Sequence, residues 1–210
     1  SWPYPRFLGT IDIDTAVVTR RSADLSVRPA SITFDLNGNL YASTGPSGNG
    51  SNTLYLVDKD TGTLSVVMSP LPSNIGNSNS GSALGFNWDN GYLYHAYGYG
   101  RNIDVIDLLT YTYVDTFQVT PNPSNSPIGS MLYLGGDQFY GDSWGEVLRF
   151  DISGNGESLG YMNDISAKGM AFPMVKRLDT IGDLAPLETA TITITAQILD
   201  TAQPNDILTN

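Results

Sequence analysis

The chain has 210 residues, 40% of them hydrophobic and 15% charged, with 22 Gly, 12 Pro and 12 Tyr. That balance supports one sizeable core of short strands and tight turns, and excludes a disordered chain. The absence of cysteine excludes disulfides, zinc–thiolate and iron–sulfur sites and a thiol nucleophile, and the net charge of −11 sets the chain against nucleic-acid phosphates.

The first segment, residues 7–19, alternates through Leu8 to Asp12, turns, and resumes at Val17-Val18. This is the second half of a phrase that recurs down the chain. The first half is an apolar strand, a polar turn and a strand ending in aromatics, at Ile32–Tyr41, Ala83–Tyr94 and Met131–Tyr140. The second half, a strand reaching an Asp followed by a turn and another strand, returns at Leu54–Val67, Ile103–Phe117 and Val147–Tyr161. The equivalent aspartates, Asp12, Asp58, Asp107 and Asp151, lie 46, 49 and 44 residues apart. Four strands per unit at a period of about 45 residues predict an all-β, β-propeller-like repeat of about four four-stranded antiparallel units, closed or as an open arc. Asn37-Gly38 and Asn90-Gly91 are expected to form type I′ hairpin turns, and Asp60–Gly62 a slightly longer one.

A further first-half strand at Ala167–Phe172 is placed to complete one blade together with residues 7–19. The repeat domain is expected over residues 1–175 and a C-terminal β extension over 176–210. Within that extension Thr189, Thr191, Ile192, Thr193, Ile194, Thr195 and Ile198 belong to the run of highest β-propensity in the chain. Too little sequence surrounds it to build a sheet of its own, so residues 187–199 are expected to add to a neighbouring copy, with residues 7–19 as the acceptor edge.

Leu54-Tyr-Leu-Val-Asp-Lys-Asp-Thr-Gly62 resembles the propeller repeats of prokaryotic secreted and cell-surface proteins; the first copy departs from it with Ala16 in place of Gly. Leu184-Ala-Pro-Leu-Glu188 and Ile207-Leu-Thr-Asn210 resemble parts of an immunoglobulin-like repeat of large surface proteins, Leu187 replacing the usual Gly. Both resemblances imply an extracellular or cell-surface setting, and neither implies a reaction. The start at Ser1-Trp2-Pro3 suits a mature secreted chain, and no apolar run approaches the roughly 18 residues of a membrane helix.

His95 is the single histidine, so neither a two-histidine metal site nor a convergent acid–base set can be assembled; no catalytic residue is expected. The better ligand-binding candidates are aromatic: Trp88, Tyr92, Tyr94, Tyr97, Tyr99 and Trp144 form either a shelf for a sugar or protein partner or packing between blades. Asp35, Asn37 and Asn39 space oxygen ligands as calcium loops do, although propeller turns use the same residues for backbone reasons. Calcium is the one cofactor left open. Asn49-Gly-Ser51 is an N-glycosylation sequon. The expected function is a non-enzymatic structural or adhesive surface protein, a homo-oligomer or partner of other surface proteins. A propeller lyase or hydrolase and a carbohydrate-binding module are the alternatives.

Overall fold

The computed structural model describes residues 6–45, 50–71, 82–122, 125–162 and 169–170. The chain divides into two compact units, Ser1–Phe172 and Pro173–Asn210. The second unit, most of the predicted strand 167–172 and the expected assembly strand 187–199 lie outside the described residues.

Among the described residues every regular element is a strand. A two-stranded ribbon, β1 (Gly9–Ile11) and β2 (Val18–Arg20), is followed by three four-stranded antiparallel sheets. Blade 1 comprises β3 (Pro29–Phe34), β4 (Leu40–Thr44), β5 (Leu54–Val57) and β6 (Leu64–Met68). Blade 2 comprises β7 (Ser82–Asn87), β8 (Tyr92–Tyr97), β9 (Asn102–Asp107) and β10 (Thr112–Gln118). Blade 3 comprises β11 (Ser130–Gly135), β12 (Gln138–Ser143), β13 (Glu146–Asp151) and β14 (Gly156–Tyr161). Strand order follows chain order in each sheet, and the first strands β3, β7 and β11 are neighbours, so the blades fan out from them.

The four aspartates occupy equivalent positions. Each ends the third strand of its blade and accepts hydrogen bonds from the turn that follows: Asp12 from the N–H groups of Asp14 and Thr15, Asp58 from Asp60 and Thr61, Asp107 from Leu109, and Asp151 from Ser153 and Asn155. A left-handed residue closes each turn: Ala16, Gly62, Tyr111 or Gly154. The ribbon β1–β2 is thus strands three and four of a blade. The described residues hold three complete blades and this half-blade where sequence spacing predicts about four.

The first-half turns differ from the expected type I′ geometry, which needs positive φ at both central residues. Only Gly38 and Gly91 of the two pairs are left-handed. Around Gly38 the Asp35 carboxylate accepts the N–H groups of Asn37 and Asn39, while Gly38 N–H donates to the Asp35 carbonyl; this is a type I turn closed by a left-handed glycine. The side-chain caps at Asp35 and Asn87 determine these turns, and dipeptide identity alone does not reveal them.

Packing between blades explains the apolar runs. Strand β8 is buried from Leu93 to Ala96, as a strand covered on both faces must be. On one side Leu84, Leu93 and Ile106 meet Tyr41, Leu54 and Leu71 of blade 1. On the other, Tyr94, Ile103 and Val105 meet Met131, Tyr133, Phe139, Leu148 and Phe150 of blade 3, where the Phe139 and Phe150 rings stack at 5.3 Å. Leu8 and Val27, flanking the half-blade, pack on the outer part of blade 1 against Leu40, Ala42, Tyr55 and Val57.

Candidate functional site

The six candidate aromatics separate into two groups. Tyr94 is buried among Phe117 and Phe139, with its hydroxyl accepting from the Asn90 amide. Trp88 packs edge-on against Tyr133, and Tyr92 joins the same core. Tyr97 stacks on the His95 ring and its hydroxyl pKa is raised by burial. These four belong to the packing between strands and blades. Tyr99 and Trp144 meet edge to face at 5.9 Å and reach solvent, at 37% and 58% exposure. They stand at the end of the blades where β7 and β11 begin, on the β8–β9 and β12–β13 turns of adjacent blades.

Beneath that pair lies a polar cluster that sequence reading missed. The Arg101 guanidinium, with no exposed surface, meets the buried Glu146 carboxylate at 2.5 Å. It also donates to the Ser126 carbonyl and hydroxyl, the Ser143 hydroxyl and the Pro121 carbonyl. Ser143 donates onward to the Pro127 carbonyl, and the buried Asp142 accepts from Gly145 N–H. A buried cation is tolerated only where paired and hydrogen-bonded in this way. The signal available in the sequence is the repeat itself: Arg101 and Glu146 lie 45 residues apart and Arg101 and Ser143 lie 42 apart, close to one blade.

The turn above the cluster is unusual. Ser143 pairs with Glu146, and the two central residues, Trp144 and Gly145, have φ of 54° and 92°. This two-residue loop has the positive φ pair of a type I′ hairpin, whose first position favours Asn, Asp or Gly. A bulky residue held left-handed costs about 1–2 kcal/mol, and here the strained residue also exposes its ring.

A second buried row crosses from blade 1 to blade 2. The Ser43 and Ser82 hydroxyls are 2.9 Å apart, Ser82 Oγ lies 3.1 Å from His95 Nε2, and His95 Nδ1 faces Asp104 Oδ2 at 3.8 Å. Hydroxyl, imidazole and carboxylate stand in the order of a nucleophile relay, but the last separation is beyond hydrogen-bond length and the side chains are buried.

At the opposite end, Tyr133 donates to the Asp89 carboxylate at 2.6 Å, and burial followed by this bond pushes its pKa up to about 12. Asp35, Asn37 and Asn39 are together at this end. Asp35 Oδ1 takes two backbone N–H donors and Oδ2 takes the Asn39 amide, so the carboxylate already serves the turn. Among the described residues no three His, Cys, Asp or Glu side chains group to hold a metal ion. Asn49 lies outside the described residues.

No protein-family model and no curated protein matches the chain. Solved structures do. An auxiliary nutrient binding protein from Bacteroides ovatus is 17% identical, with 71% of this chain and 35% of that one covered and a TM-score of 0.49. Regucalcin, a calcium-binding protein from Agrobacterium tumefaciens, is 16% identical over 70% and 51% at 0.47. The WD40 β-propeller domain of Doa1 is 13% identical over 66% and 42% at 0.44. The chain therefore spans about a third to a half of the length of these structures. It is an all-β protein of propeller-like architecture, with antiparallel four-stranded blades.

Proposed function

We propose that the chain is a non-enzymatic structural or adhesive protein of the cell exterior that joins copies of itself by strand addition at the half-blade. The observation that carries this reading is the half-blade, which has only its third and fourth strands among the described residues. Asp12 N–H donates to the Val17 carbonyl and Arg21 N–H to the Leu8 carbonyl, so the backbone groups of Gly9 and Ile11 point away from β2. Among the described residues no strand pairs with that edge. Beside it, Ile32 and Phe34 of β3 lie on the same face as Ala42 and Leu40, their cross-strand partners, and stand 51% and 48% exposed. An open edge beside exposed apolar side chains is a template for another strand. The β-prone run Thr189–Ile198, outside the described residues, is the donor assigned here, and a head-to-tail contact of this kind grows a filament unless its rotation closes a ring.

Electron microscopy and sedimentation of the full chain test the reading. The wild-type protein is expected to form concentration-dependent assemblies, and Ile11→Pro, which blocks the open edge while sparing the bonds to β2, to leave folded monomers. A full chain that stays monomeric at every concentration, or assemblies indifferent to Ile11→Pro, would overturn it.

A secreted hydrolase or lyase is the second reading, favoured only by the Ser82–His95 contact. A turnover abolished by His95→Ala would establish it against the first.

A further inference from the structure

We infer that the Tyr99–Trp144 pair is the floor of a binding site for an uncharged saccharide. The inference goes beyond the assembly reading and stands whether or not the chain polymerises.

The first observation is a conflict between local and global preference at Trp144. The residue sits left-handed at the first central position of a two-residue turn, where a small polar residue fits the backbone without strain. Its indole is exposed, so burial of the ring does not offset that strain. A position that opposes both its backbone and its solvation is where a functional demand is expected.

The second observation is independent, because it concerns the other blade. Tyr99 comes from the β8–β9 turn, and its carbonyl accepts the Asn122 amide, which anchors the turn. The tyrosine ring meets the indole edge to face, so the two planes form a corner rather than a stack. Trp144 is itself held from below, since Gly145 N–H donates to Asp142 and the Gly145 carbonyl accepts from Met162 N–H. An aromatic corner on two braced turns is preorganised, which lowers the ordering cost of binding.

The chemistry around the corner selects the ligand class. The adjoining polar side chains are amides: Asn122, and Gln118, whose amide donates to the Gly100 carbonyl next to Tyr99. Asn102 belongs to the same turn, close against Gly100. The charged side chains on or next to these two turns, Arg101, Glu146 and Asp142, are buried, the first two against each other. Neutral amides beside exposed aromatic faces suit a molecule with both hydroxyls and an apolar C–H face, the description of a neutral sugar ring. An anionic ligand finds no exposed partner among these groups, and the chain's charge of −11 repels it.

The test is titration of the full chain with mannohexaose, xylohexaose, laminarihexaose and, as the anionic control, a heparin hexasaccharide, by isothermal calorimetry. At least one neutral hexasaccharide is expected to bind, and the heparin fragment not to. Trp144→Asn supplies the residue the turn prefers, and is expected to weaken binding at least about tenfold while the melting temperature holds or rises. Tyr99→Ala in the full chain should weaken the same sugar. Failure of every neutral sugar to bind, binding of the heparin fragment alone, or unchanged affinity in Trp144→Asn would overturn the proposal. So would a fall of more than about 4 °C in the melting temperature of Trp144→Asn, which would make the indole a structural support. Assembly of the Trp144→Asn chain, followed by sedimentation, is expected to match wild type and so separates this site from the half-blade.

Discussion

Replacing Glu146 with Ala removes the carboxylate but leaves its partner, Arg101, without any exposed surface. The guanidinium also meets neutral acceptors, among them the Ser126 carbonyl and hydroxyl, the Ser143 hydroxyl and the Pro121 carbonyl, at 3.2 Å against 2.5 Å for Glu146. They hydrogen-bond the guanidinium but do not neutralise it. Breaking a buried pair from one side costs about 3–5 kcal/mol, a large part of the roughly 5–15 kcal/mol that holds a domain folded. In a chain of this length each kcal/mol moves the melting temperature by about 2–4 °C, so a fall of roughly 6–20 °C is expected. Replacing both partners, Arg101→Met with Glu146→Leu, should recover most of the loss, because neither charge of the pair is then left buried without the other. The exposed pair Arg149–Glu157, about half accessible on both sides, is the control, and Glu157→Ala should cost about 0–1 kcal/mol. Urea denaturation of the wild type, Arg101→Met, Glu146→Leu and the double variant measures the cycle, with Glu146→Ala and Glu157→Ala alongside. A Glu146→Ala loss below about 1 kcal/mol, or a double variant as unstable as the sum of the two single ones, would refute the view of this cluster as a closed internal pair.

The left-handed turn residues make a second set of predictions. Ala16→Gly should stabilise by about 0.5–1 kcal/mol, relief of the φ of 56° being partly offset by the freer unfolded chain. Gly154→Ala should be far worse than Gly91→Ala, since a methyl group at Gly154 meets the Gln118 carbonyl while Gly91 has open space; comparable melting temperatures would contradict this. The third concerns acid. Hydrogen bonds from the following turn hold Asp12, Asp58 and Asp107 below their usual pKa of 3.8. At Asp151 burial pushes the other way, but is outweighed by the Asn155 amide and the turn N–H groups. A folded pKa below the unfolded one gives stability that is complete above about pH 3.8 and is lost as the pH falls through the folded values. Replacing all four with Asn, which keeps an acceptor but not the titration, should flatten the fall in urea stability between pH 5 and pH 3; an unchanged slope would exclude these carboxylates as its source.

The parts of the fold legible in the sequence were those written locally. The aspartate at each third-strand end reports a turn three or four residues long, so four copies established both the period and the strand count per blade. Leu93 and Tyr94 point to opposite faces of β8 by strand alternation, and both are buried because a neighbouring blade covers each face. The turns at Gly38 and Gly91 were misread because their geometry depends on caps from Asp35 and Asn87 rather than on the Asn-Gly pair. Arg101 and Glu146 were passed over because each looks like an ordinary loop charge; only their spacing of one blade brings them together. The same arithmetic applies to Tyr133 and Asp89, which are 44 residues apart. In a repeat whose units pack face to face, the period of the sequence is also the period of its contacts.

Successive blades also share a mechanical joint. Gly62, in the third-to-fourth-strand turn of blade 1, lies so near Ser22 just beyond β2 that a side chain there would collide with it, and Leu108 in the matching turn of blade 2 shares a cluster with Leu71 beyond β6. In blade 3 the turn at Gly154 and Asn155 binds Thr120, just past β10, by backbone hydrogen bonds from both sides. Among the described residues, the outer strands β2, β6 and β10 are therefore each latched at their exit by the blade that follows in the chain. Under tension such a latch makes direction matter: a pull that peels an outer strand must first dislodge the next blade.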